Sequence, residues 1–103
     1  MPGVPTFESS SLRLAVEAAG CEVLVAATGE FDLAGSPVVE AMFAEVMTTS
    51  CRRVVIDVSG VTFLDAAGLR ALRGPASRGG RVEVCLRAPS RPVRRILELI
   101  DMV

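Results

Sequence analysis

The sequence predicts a single α/β domain in which helices pack on a small mixed β-sheet. Its 103 residues are the usual length of one domain. Half of the residues are hydrophobic and 22% are charged, a balance that supplies a core and excludes a disordered chain. Two strand-like segments joined by a short turn come first, and two more then alternate with helix-like segments. The first two strands should therefore form an antiparallel hairpin, and the strands joined through helices should run parallel.

The domain is predicted to span residues 11–103. Residues 1–10 are rich in Pro, Gly and Ser, and we assign them to a flexible N-terminal segment. Over residues 12–17 hydrophobic side chains alternate with polar or small ones, which is the period of a half-exposed strand. A turn at 18–20 then leads into a second strand, which should end near Thr28.

A loop over residues 29–35 carries two acidic residues, Glu30 and Asp32, and connects the hairpin to the first helix. Ser36 and Pro37 match the N-cap and the first position of that helix. Hydrophobic residues then recur at helical spacing and predict one apolar face, formed by Val39, Met42, Phe43, Val46 and Met47.

The next strand and helix follow directly. Residues 53–57 contain an uninterrupted apolar run, which is typical of a strand covered on both faces. Ser59 and Gly60 are predicted to turn the chain. Asp65 is the expected N-cap of a second helix over residues 66–72, where its carboxylate would accept a hydrogen bond from a free N–H group of the first turn.

A last strand and a last helix complete the prediction. Residues 81–87 alternate hydrophobic and polar side chains, as in a strand. Ser90 is the predicted N-cap of the third helix, whose hydrophobic residues lie at i, i+3, i+4 and i+7. The stripe is formed by Val93, Ile96, Leu97 and Ile100, and the polar face carries Arg91, Arg94 and Arg95, which would meet either solvent or an acidic partner.

Composition excludes several classes of function. The chain contains no histidine, which removes Ser-His and Cys-His nucleophile pairs and any histidine metal site. The formal net charge is −1 and there is no Trp or Tyr, which argues against direct nucleic-acid binding. No apolar run reaches about 18 residues, so no membrane span is expected. Glu30 and Asp32 have no nucleophile or phosphate-binding loop beside them. We therefore expect an interaction module with no catalytic activity, metal or cofactor.

The three cysteines indicate a reducing compartment. Cys21, Cys51 and Cys85 show no CxxC spacing, and an odd number cannot complete a disulfide framework. The N-terminus has neither the basic run nor the apolar segment of a signal peptide, so we expect a cytoplasmic protein. Cys85 lies in the middle of a predicted strand and should be a buried apolar residue. Cys21 and Cys51 flank strands and are candidate redox residues.

Three segments resemble one known family. The segment VVIDVSGVTFLDAAGLRAL at residues 54–72 resembles the signature of the STAS domain of bacterial anti-sigma factor antagonists, in which a VVIDLSGV strand precedes Phe, an apolar residue, Asp, two small residues and Gly-Leu. GEFD at 29–32 resembles the family's GELD motif. APSRPVRRILEL at 88–99 resembles the family's segment between its fourth strand and the following helix. The resemblance extends over residues 12–103 and implies a STAS-like fold.

The resemblance also implies a function. Family members bind a kinase-like anti-sigma factor, of the GHKL ATPase type, and so free a sigma factor for transcription. In the members switched by phosphorylation, a Ser or Thr follows the Asp of the motif, and its phosphorylation by the anti-sigma factor releases the complex. Here that position is Ala66, followed by Ala67, so the usual phosphoswitch is not expected. The partner-binding residues implied by the resemblance are Glu30, Asp32, Asp65, Ala66, Ala67, Gly68 and Leu69.

Two alternatives stay open. From the residues alone, the small side chains at 66–68 could pack against the protein's own sheet, and the acidic loop at 30–32 could simply be solvated. A different function is a ligand- or redox-sensing STAS module within a larger regulatory assembly, for which Cys21 and Cys51 are the candidate residues. The sequence predicts neither the oligomeric state nor which sigma factor is regulated.

Overall fold

A computed structural model describes residues 6–73 and 82–88, together with positions 91, 94 and 95. Five strands, two α-helices and one short 3-10 helix have both of their ends within the described part of the chain. In order they are β1 (Thr6–Glu8), β2 (Leu12–Ala19), β3 (Glu22–Phe31), the 3-10 helix (Leu33–Gly35), α1 (Ser36–Val46), β4 (Arg53–Leu64), α2 (Ala66–Arg73) and β5 (Glu83–Arg87).

The five strands form one mixed sheet in which the spatial order equals the chain order, β1-β2-β3-β4-β5. β2 is antiparallel to both β1 and β3, whereas β3, β4 and β5 are parallel to one another. The connection from β3 through α1 to β4 and the connection from β4 through α2 to β5 each lead to the next strand in the same direction across the sheet. Right-handed crossovers of this kind place α1 and α2 on the same face of the sheet, where the two helices touch. The predicted α/β class, with a hairpin that continues into parallel strands, is confirmed.

The core lies between this face and the two helices. Alternate residues of β2, β3 and β4 point into it, as the period of a pleated strand requires. Four of the five residues predicted for the apolar face of α1 are buried: Val39, Met42, Phe43 and Val46. The prediction was wrong for Met47, which is 44% exposed because α1 ends at Val46 and Met47 is the C-cap.

The hairpin is confirmed and extends further than the sequence predicted. Gly20 has φ +65° in the two-residue turn, a conformation that glycine adopts without steric cost. β1 lies in the segment predicted to be flexible, and its Thr6 pairs with Ala15 of β2. Three residues are too few to show an alternating pattern, so β1 is recognised only through its hydrogen bonds to β2.

The predicted turn at Ser59 and Gly60 was wrong, since β4 runs unbroken from Arg53 to Leu64. The register between β3 and β4 shifts twice, so β4 carries extra residues in β-bulges instead of a turn. At the first bulge the Asp57 carboxylate accepts a hydrogen bond from the Ser59 N–H at 2.9 Å. A side chain at Gly60 would place Cβ 2.7 Å from Thr28 Cγ2 and 3.1 Å from the Ala27 carbonyl oxygen, so the Thr28 side chain would have to shift.

The start of α1 and the C-terminal region differ in detail from the prediction. Gly35, not Ser36, is the N-cap of α1, because the 3-10 helix leads directly into α1. β5 begins at Glu83, and Val82 before it is buried. Of the predicted third helix, the structure describes only three arginines, all helical and exposed: Arg91, Arg94 and Arg95. Its predicted cap Ser90 and its hydrophobic stripe lie outside the described residues.

Candidate partner-binding surface

The ends of β3 and β4 bring the two sequence motifs together at one edge of the sheet. Glu30 pairs with Phe63, and Phe31 pairs with Leu64. The Asp65 N–H donates a hydrogen bond to the Phe31 carbonyl at 3.2 Å, which ties the start of α2 to the end of β3. Because carboxyl ends of parallel strands share one sheet edge, GEFD and the Asp65 turn are neighbours, as the order of elements suggested.

Asp65 caps α2 as predicted. Its Oδ1 accepts a hydrogen bond from the Gly68 N–H at 2.7 Å, the geometry of an N-cap side chain bonded to the third helical residue. The half-buried carboxylate also lies at the positive end of the helix dipole. Asp65 therefore holds the first turn of α2 in place against the sheet.

Gly68 packs closely against the end of β3. It is buried, and a Cβ at this position would lie 2.3 Å from the Phe31 carbonyl oxygen and 3.1 Å from Leu64 Cδ1. The helix thus approaches the end of β3 more closely than any side chain permits. Of the two interpretations that the sequence left open for the small residues, packing on the protein's own sheet holds for Gly68.

Ala66 and Ala67 have different environments. Ala66 is exposed at the first position of α2, whereas Ala67 is half-buried. Leu69 belongs to α2, but its side chain lies outside the described part of the structure. Only Ala66 of these residues is shown fully open to a partner.

The acidic residues at 30 and 32 also differ. Glu30 is exposed, while Asp32 is half-buried and its Oδ1 accepts a hydrogen bond from the Gly35 N–H at 3.2 Å. Asp32 therefore closes the turn that leads from β3 into the 3-10 helix and α1. Its charge still lies at the same sheet edge as Asp65.

Phe63 is the residue that sequence reasoning missed. It is 48% exposed, one of two large hydrophobic side chains left open among the described residues. A bulge between Val61 and Phe63 turns Phe63 away from the core, while Val61 before it and Leu64 after it stay buried. The sequence signal was weak, because the bulge breaks the alternation that would have revealed it. We call the surface formed by Glu30, Asp32, Phe63, Asp65 and Ala66 the α2 edge.

Along the strands, the three cysteines lie far from the α2 edge. Cys85 is half-buried, not fully buried as predicted, and its thiol donates to Glu83 Oε1 at 3.3 Å. It pairs with Val55 on the sheet face opposite the core. Cys21 is exposed and Cys51 half-buried, and all three thiols are free.

An antiparallel hairpin that continues into parallel strands, with α2 starting at a capping aspartate, is the arrangement of a STAS domain. The family model described as Mlab, STAS domain matches residues 14–103, and the chain belongs to this family. No protein with a curated description matches the sequence. Among the described residues, no helix is both long enough and apolar enough to cross a membrane.

Solved structures with the same fold carry a common description. An anti-sigma factor antagonist from Mycobacterium paratuberculosis is 27% identical, with TM-score 0.77 over 93% of this chain and 83% of that one. The anti-sigma factor antagonist SpoIIAA in its unphosphorylated form is 16% identical, with TM-score 0.73 over 86% of this chain and 81% of that one. An antisigma-factor antagonist STAS domain from Rhodobacter sphaeroides is 22% identical, with TM-score 0.65 over 84% and 99%.

Proposed function

We propose that this protein is an anti-sigma factor antagonist that binds a kinase-like anti-sigma factor through the α2 edge. The observation that carries the proposal is the similarity to the Mycobacterium paratuberculosis antagonist, which extends over 93% of the chain at 27% identity. Binding would release a sigma factor in the cytoplasm and would require no catalysis by this chain.

The chemistry of the α2 edge supports a protein partner. An exposed phenylalanine is the kind of side chain that anchors interfaces, because it offers a large apolar area at little entropic cost. Glu30 pairs with Phe63 across β3 and β4, and Asp32 and Asp65 directly follow the ends of the same two strands. Three carboxylates therefore share this sheet edge with Phe63, which favours a partner surface with basic residues near an apolar pocket. The proposed interface thus combines one apolar anchor with an acidic surround.

We further propose that this antagonist is not switched by phosphorylation at the start of α2. Ala66 directly follows the capping aspartate and is exposed, so a kinase could reach the position but would find no hydroxyl there. The nearest hydroxyl in β4 belongs to Thr62, which donates to the Gly29 carbonyl at 3.4 Å. The complex should therefore persist when ATP is added.

Calorimetric titration with each purified kinase-like anti-sigma factor of the same organism tests the proposal. We expect a complex with one of them, with and without ATP, and no phosphate on Thr62 by mass spectrometry. Ala66→Asp should weaken binding by at least about tenfold, because a charge at the start of α2 mimics a phosphorylated antagonist while suiting the helix dipole. Ala44→Asp on the exposed face of α1 is the matched control and should bind normally.

Failure has two distinct forms. If the wild-type chain binds none of the anti-sigma factors, the proposed function is wrong. If Ala66→Asp binds as tightly as the wild type, the function stands and the interface lies elsewhere than the α2 edge.

A further inference from the structure

We propose that Cys21 and Cys51 form a redox-sensitive pair that closes to an intramolecular disulfide when a disulfide oxidant such as oxidised glutathione is present. The two residues are thirty positions apart in the chain and belong to different connections. Cys21 lies in the turn between β2 and β3, and Cys51 lies just before β4. The inference concerns the end of the sheet opposite the α2 edge and is independent of the proposed function.

A backbone hydrogen bond brings the two cysteines together. The Arg52 N–H donates to the Cys21 carbonyl oxygen at 2.9 Å. Since Cys51 precedes Arg52, standard bond lengths place the two Cα atoms at most about 8 Å apart, and less where the bonds are not collinear. A disulfide needs a Cα separation of roughly 4.4–6.8 Å, and the upper bound of about 8 Å exceeds this range by only about 1 Å. Bridging therefore needs at most a small movement of the turn or of the stretch before β4.

The two cysteines lie at the same end of the sheet. Cys21 is the second residue of the two-residue turn between β2 and β3, and the carboxylate of Glu22 after it pairs with Arg53 at 3.5 Å. Cys51 packs against the hydrophobic core. Cys85 lies on the open face beside Glu83 and provides an internal control.

The surroundings permit the reaction. Cys21 is exposed, so an oxidant can reach it first, and Cys51 is half-buried, so it can act as the resolving thiol. The Cys51 thiol contacts the Arg53 carbonyl oxygen at 3.2 Å, a weak bond that a side-chain rotation breaks. The segment around Cys51 is a turn and an irregular stretch, not a helix or strand, which leaves room for the adjustment.

The chemistry is a pair of thiol–disulfide exchanges. The Cys21 thiolate attacks one sulfur of oxidised glutathione, forms a mixed disulfide and releases one reduced glutathione. The Cys51 thiolate then attacks the Cys21 sulfur and releases the second reduced glutathione. Two protein thiols and one oxidised glutathione thus become one protein disulfide and two reduced glutathiones, and the two thiol protons end on the glutathione sulfurs.

Closure should stabilise the fold. The disulfide would close a loop that contains β3 and α1, and a constraint of this length removes conformational freedom from the unfolded chain. We expect the thermal midpoint of the oxidised protein to rise by several degrees. The rise should disappear on reduction with dithiothreitol.

Peptide mapping of the oxidised protein tests the proposal. Cleavage after glutamate separates the three cysteines into residues 18–22, 46–83 and 84–98. We expect the first two peptides to be linked, the intact protein to lose the mass of two hydrogen atoms, and the midpoint to rise. Cys85→Ser should behave like the wild type, whereas Cys21→Ser and Cys51→Ser should show neither the link nor the rise.

Three results would overturn the inference. One is a glutathione adduct on Cys21 that does not resolve, since the thiols would then be too far apart. Another is a disulfide-linked dimer on a non-reducing gel. The third is a link that includes the peptide of Cys85.

Discussion

Phe63 is the single residue on which the proposed interface depends most. Its ring is half exposed although both buried neighbours, Val61 and Leu64, belong to the core. A partner that covers the ring would remove apolar area from water. This is the contribution that the proposed function assigns to Phe63.

Phe63→Ala should weaken anti-sigma binding by about tenfold or more, because truncation of an interface anchor typically costs above 1 kcal/mol. The thermal midpoint should change little, since half of the ring is already in water. Met47→Ala is the matched control, because Met47 is exposed to a similar extent at the far end of α1. Unchanged binding by the Phe63 variant together with a lower midpoint would assign the ring a structural role.

Asp32 combines a structural role with a charge, and two substitutions separate them. Asp32→Ala removes one of the two acceptors of the Gly35 N–H, since the bond to the Asp32 carbonyl at 3.0 Å remains, and should lower the free energy of unfolding by roughly 0.5–1 kcal/mol. Asp32→Asn keeps an acceptor oxygen and should leave stability nearly unchanged while slowing association with a basic partner. Urea unfolding and stopped-flow binding measure the two effects. An Asn variant as destabilised as the Ala variant would contradict the separation.

At the scale of elements, the packing of α2 on the end of β3 positions the candidate surface. Two contacts fix this packing: the Asp65 cap, and the close approach at Gly68, where only a hydrogen atom fits beside the Phe31 carbonyl. The bulges in β4 matter in the same way, because they rotate Phe63 outward at the end of the strand. The α2 edge thus depends on the contacts among α2, β3 and β4 and not on α2 alone.

The substitution Gly68→Ala tests this contact, because the contact determines whether the variant is more or less stable than the wild type. In a free helix, alanine is more stable than glycine by about 1 kcal/mol. Here the new Cβ would meet the Phe31 carbonyl oxygen at 2.3 Å, so α2 must shift away from β3. We expect the variant to be less stable by about 1–3 kcal/mol in urea unfolding. A variant more stable than the wild type would show that the helix moves freely.

At the scale of the whole molecule, the two proposed sites lie at opposite ends of the parallel strands. The α2 edge lies at the carboxyl ends of β3 and β4, and the pair Cys21 and Cys51 lies at their amino ends. The face opposite the core carries ion pairs between neighbouring strands, among them Asp57 with Arg87 at 3.7 Å. Glu22 of β3 pairs with Arg53 of β4 at 3.5 Å, so these charges link the three parallel strands to one another.

Asp57 should make the stability of the molecule depend on pH. Hydrogen bonds from Ser59, with a smaller contribution from Arg87, lower the pKa of the Asp57 carboxyl below its ordinary value. A lowered folded-state pKa contributes stability that is present above the unfolded-state pKa and is lost as the pH falls through the folded-state pKa. Asp57→Asn, which still accepts from the Ser59 N–H, should therefore lose less stability than the wild type when urea unfolding is compared at pH 7 and about pH 3. Equal losses of stability in the two proteins would show that protonation of Asp57 is not coupled to folding.

The sequence by itself determined the fold class, the hairpin, the parallel strands, the buried face of α1 and the cap at Asp65, because these follow from periodicity and capping within a few neighbouring residues. Only the tertiary structure decided which residues are open. Gly68 became a packing residue through its contact with Phe31, and Phe63 became exposed through a bulge defined by pairing with β3. Proximity across thirty residues, as for Cys21 and Cys51, likewise depends on strand register. The local pattern of residues cannot reveal such contacts, because the segments that make them are far apart in the sequence.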